Sequence, residues 1–153
     1  MEKVTLKLFE FYNLEAELAG ASNQQTGEII SKGLLNEKIK LTTKYWLTDL
    51  LKKVSQEKES VEKLKEELVK KYGETNEEGQ IFIPMYVDVV KDEEDKMVSG
   101  NVNPKFVEFQ NEFNKLLQEE REVEYKSLPL SDFDTVESEG NYTTFFKLIK
   151  VDE

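Results

Sequence analysis

Residues 43–72 restrict the possible folds more than any other part of this chain. Trp46, Leu50, Val54, Val61, Leu64, Leu68 and Tyr72 recur there at steps of three, four or seven. At 3.6 residues per turn that spacing is a single apolar stripe on one helix. Thr42 or Thr43 stands where an N-cap belongs, and Gly73 stands where the helix should stop. About thirty residues at about 1.5 Å each span about 45 Å, which is long for one compact domain. Residues 55–60, S-Q-E-K-E-S, carry no apolar side chain, so the helix either projects at that point or folds back as a hairpin. With no Gly or Pro to make a turn, the pattern predicts a continuous helix. A stripe of that length exceeds what 153 residues readily cover, so part of it is expected to meet another subunit.

The remaining elements are shorter. Val4, Leu6 and Leu8 alternate with polar residues, predicting a strand, and residues 9–19 then take helical spacing up to Gly20. Residues 21–27, A-S-N-Q-Q-T-G, read as an exposed loop, and residues 29–41, broken by Gly33, as a short helix or turn. Residues 74–80 form a polar turn leading into residues 81–90, I-F-I-P-M-Y-V-D-V-V, the best strand pattern in the chain. Pro84 lacks an amide hydrogen, so that strand should lie at an edge or carry a bulge. Residues 91–101 read as an exposed loop. Asn103 followed by Pro104 signals a helix start, and Phe106, Phe109, Phe113, Leu116 and Leu117 then follow helical spacing to about Glu120, with the aromatics read as core. Residues 122–126 alternate as a short strand, residues 128–138 run irregularly, and residues 142–151 are apolar enough to require docking on the body. We therefore expect one α+β domain over residues 1–153, a few short strands with one long helix and a second shorter helix packed on them.

Composition removes whole classes of chemistry. The chain has no cysteine and no histidine, which excludes disulfides, thiolate nucleophiles, ordinary zinc sites and every Ser-His or Cys-His arrangement. Its 21 Lys+Arg stand against 32 Asp+Glu, a net charge of −11, which opposes the phosphate attraction behind most nucleic-acid binding. No secretory signal is visible in residues 1–8, and no apolar run approaches the roughly 20 residues of a spanning helix, so cytoplasm is the expected compartment. Neither G-x-G-x-x-G nor a P-loop pattern occurs, and no cofactor or small-molecule substrate is indicated.

Three acidic arrangements are candidate sites. Asp92-Glu93-Glu94-Asp95 lacks the alternating ligands of a calcium loop and reads as a solvated turn. Asp132, Asp134 and Glu137, a D-x-D-x-x-E, are of the type that gathers a hard cation, although such spacing is common by chance. Glu124-Tyr125-Lys126 on one strand with Asp88 on another is the residue set of a Mg²⁺-dependent nuclease, which requires the two carboxylates to converge from neighbouring strands. A DNA mimic would need unbroken acidic surface, whereas Glu62-Lys63, Lys65-Glu66-Glu67 and Lys70-Lys71 interleave both signs. We assign no catalytic, cofactor-binding or metal residue from the sequence.

The order of features nevertheless has a resemblance. K-K-Y-G-E at residues 70–74, then N-E-E-G-Q, a strand, F-V-E-F-Q-N-E-F-N-K-L-L at residues 106–117, E-V-E-Y and L-S-D-F together resemble an uncharacterised family of small tailed-bacteriophage proteins over roughly residues 29–134. The resemblance implies a phage accessory or virion-associated protein and brings no activity or site residue with it. The expectation is a non-enzymatic protein that binds protein or itself in the host cytoplasm or the particle. The alternatives are an acidic, DNA-mimic-like inhibitor of a host enzyme, and the nuclease.

Overall fold

The computed structural model describes residues 1–137 and 141–150. In chain order the elements are β1 (Glu2–Lys7), α1 (Leu8–Ala19), β2 (Ala21–Ser22), β3 (Ile29–Ser31), α2 (Leu41–Tyr72), β4 (Glu74–Thr75), β5 (Ile81–Phe82), β6 (Tyr86–Lys91), β7 (Met97–Val102), α3 (Pro104–Leu117), β8 (Glu120–Tyr125), β9 (Leu128–Pro129) and β10 (Ile149–Lys150). Short 3₁₀ turns occupy Leu34–Asn36, Leu130–Phe133 and Phe145–Lys147. The architecture is α+β, as the sequence pattern predicts. None of the described helices is long and apolar enough to cross a membrane. The strands pair two by two: β2–β3, β4–β5, β6–β7 and β1–β8 antiparallel, β9–β10 parallel.

The chain gathers into two compact units, Met1–Glu59 with Gln118–Glu153, and Ser60–Leu117. The first holds nearly all of the core. On β1 and β8, Leu6, Val123 and Tyr125 are buried while Lys3, Thr5, Glu122 and Glu124 face water, the period-two pattern of a sheet covered on one side. Helix α1 adds Leu8, Phe11, Leu14 and Leu18, and α2 adds Leu47, Leu50 and Val54. The C-terminal segment contributes Tyr142, Phe145 and Leu148, so the docking expected of residues 142–151 is observed over its described part. Gly33, at φ +86°, packs against the backbone of Ala19 and Gly20, where any Cβ would collide.

Helix α2 is continuous through its polar middle. Ser55 Oγ and Lys58 Nζ donate to the Glu15 carboxylate of α1 at 3.1 and 2.7 Å, and Lys58 lies over the Tyr12 ring. The apolar gap is thus met by polar partners. The helix begins at Leu41, earlier than the sequence suggests, so neither Thr42 nor Thr43 caps it; the Thr43 hydroxyl donates to Asp132 at 3.2 Å instead. Gly73 does end it, its N–H reaching the Val69 carbonyl at 2.7 Å.

Several expectations are corrected. Residues 81–90 are not one strand: Pro84 separates β5 from β6, and each pairs with a different partner. Residues 91–101 are not a loop, because Met97–Val102 forms β7 opposite β6. Residues 21–27 and 29–31 form the small β2–β3 hairpin. The Phe106, Phe109 and Phe113 series is not core, for no residue of α3 is fully buried.

Candidate protein-binding surface

The second unit is built from short polar ties. Asn103 caps α3, its Oδ1 accepting the Lys105 N–H at 3.1 Å while its Nδ2 donates to the Pro84 carbonyl at 2.8 Å. Its own N–H reaches the Met85 carbonyl at 3.0 Å, so one buried side chain fixes α3 to the base of the β6–β7 ribbon. The Tyr72 hydroxyl and Lys71 ammonium donate to Glu112 at 2.7 and 3.3 Å, tying the end of α2 to α3. The Tyr72 hydrogen bond, with Lys71 assisting, holds the Glu112 carboxyl below its ordinary range. Phe109 and Phe113 stack at 6.0 Å with Lys65 over the Phe113 ring. Between α2 and α3 a shallow cleft of about 330 Å³ is lined by Leu64, Leu68 and Leu116 together with Glu67, Lys71 and Glu112.

These ties enclose very little apolar volume. Val61 is the one fully buried apolar side chain of the unit. The stripe on α2 is covered at Leu50, Val54 and Val61 and opens at Leu64, which is 43% exposed. On β6 and β7, Tyr86, Val89, Val90, Met97, Val98 and Val102 are all exposed, and on β5, of the separate β4–β5 pair, so are Ile81 and Phe82. Scattered exposed apolar residues are ordinary, but six of them on one two-stranded ribbon make it a candidate contact surface.

The three acidic arrangements take different roles in the fold. Asp92 turns the β6–β7 hairpin, its Oδ1 accepting the N–H groups of Glu94 and Lys96, both at 2.9 Å, and Asp95 adopts φ +64°. That run builds a turn. Asp132 is drawn to Thr43 and Lys40, whereas Asp134 and Glu137 line a cavity of about 610 Å³ with Glu37, Lys32 and Lys38; the D-x-D-x-x-E does not converge. Asp88 lies on β6 at φ +51° and Glu124 on β8, strands that belong to different sheets, and both are exposed. Lys126 lies just past β8 and is likewise exposed. The neighbouring-strand geometry that the nuclease chemistry needs is absent from the described pairings. Among the described residues no three carboxylates gather in a way that could hold a metal ion.

Sequence reasoning missed three buried carboxylates, Glu37 and, on α1, Glu10 and Glu17. Glu17 of α1 accepts the N–H groups of Thr144 and Phe145 at 2.9 and 3.2 Å, and its second oxygen has no hydrogen-bond partner. Burial pushes this carboxyl up, and the two N–H donors only partly offset it. Glu10, two turns earlier, pairs with Lys147 and accepts the Lys7 N–H at 3.1 Å. Burial raises it too, but Lys147 and Lys7 together bring it below its ordinary value. The available signal was position: Glu10, Leu14 and Glu17 lie at steps of four and three on one helix face. These glutamates anchor the C-terminal segment.

No protein-family model, no curated protein and no solved structure matches the chain.

Proposed function

We propose that the chain is a non-enzymatic protein that works by binding protein, as a small component of a tailed-phage particle or of its assembly machinery. The observation that carries this reading is the second unit's exposed apolar ribbon, in a unit that fully buries one apolar side chain, Val61. A unit with so little core of its own gains stability when a partner covers that ribbon, because association then supplies the apolar burial that its fold lacks. The phage setting rests on the sequence resemblance over roughly residues 29–134, and the host cytoplasm or the particle is the compartment proposed with it. Mass spectrometry of purified particles from the encoding phage, calibrated against the major capsid protein, tests it. Detection at a reproducible copy number supports the virion role. Absence from particles despite abundance in infected cells overturns that role and favours an acidic inhibitor of a host enzyme.

A further inference from the structure

We draw no further inference here: the strongest candidate, the cavity of about 610 Å³ lined by Lys32, Glu37, Lys38, Asp134, Thr135 and Glu137, carries none, because Glu37 Oε1, its buried oxygen without a hydrogen-bond partner, is sealed from solvent and so does not open into it, which leaves a cluster of three carboxylates and two lysines with nothing in the structure that points to a ligand.

Discussion

Glu17 combines two opposing effects on the stability of the first unit. Its carboxylate satisfies two backbone N–H groups, those of Thr144 and Phe145, yet it holds a charge in a buried position and leaves one oxygen without a partner. Since burial raises its folded value above the ordinary 4.5, the stability linked to this group is full below 4.5 and is lost as pH rises through the raised value. Glu17→Gln keeps an acceptor for the N–H groups and removes the charge. Urea titration should find it as stable as the parent or slightly more so at pH 7, with that margin shrinking in acid. Glu17→Ala instead strands two donors and should cost about 1–3 kcal/mol. Glu10 has the opposite sign: its value is lowered, so its contribution is present above 4.5 and lost as pH falls through the lowered value. Glu10→Gln should therefore cost about 0.5–1.5 kcal/mol at pH 7, modest because Lys147 is half exposed, and the cost should vanish in acid. Observation of the same pH slope for both variants would refute these assignments.

At the scale of elements, legibility followed local periodicity. The continuous α2, the strand-then-helix of β1 and α1 and the Asn103 cap were readable because each is a pattern within one segment. The division of residues 81–90 by Pro84 into strands of two hairpins was not, because strand partners are chosen by the neighbouring turns. In β7 the alternation of M-V-S-G-N-V is too weak to separate strand from loop before Asp92 and Asp95 are seen to make the turn. The acidic site candidates failed for the same reason: spacing along the chain cannot say that Asp88 and Glu124 go to different sheets. Helix α2 shows how a legible element can still hide an unequal environment. Its stripe reads uniformly, but Leu50 is 4% exposed and Leu64 is 43%. Leu50→Ala should cost about 2–5 kcal/mol by chemical denaturation, and Leu64→Ala well under 1 kcal/mol, since there is little burial to lose. Equal costs would mean that the far end of the stripe is covered in solution.

Across the whole molecule, apolar burial is concentrated in one unit while the other is held by capping and ion-pair contacts, so the chain should not unfold as a single cooperative block. The lone Trp46 lies in the first unit, half-buried on α2, and therefore reports that unit alone. Far-ultraviolet circular dichroism reports both, since α3 and the second half of α2 add to the helical signal. The dichroism should begin to fall at a lower urea concentration than the Trp46 fluorescence changes. Hydrogen exchange should give the same order: amides of α3 and β7 exchange first, protection along α2 falls beyond Val61, and α1 persists to global unfolding. Coincident transitions with uniform protection would require a burial in the second unit that its exposed ribbon does not provide.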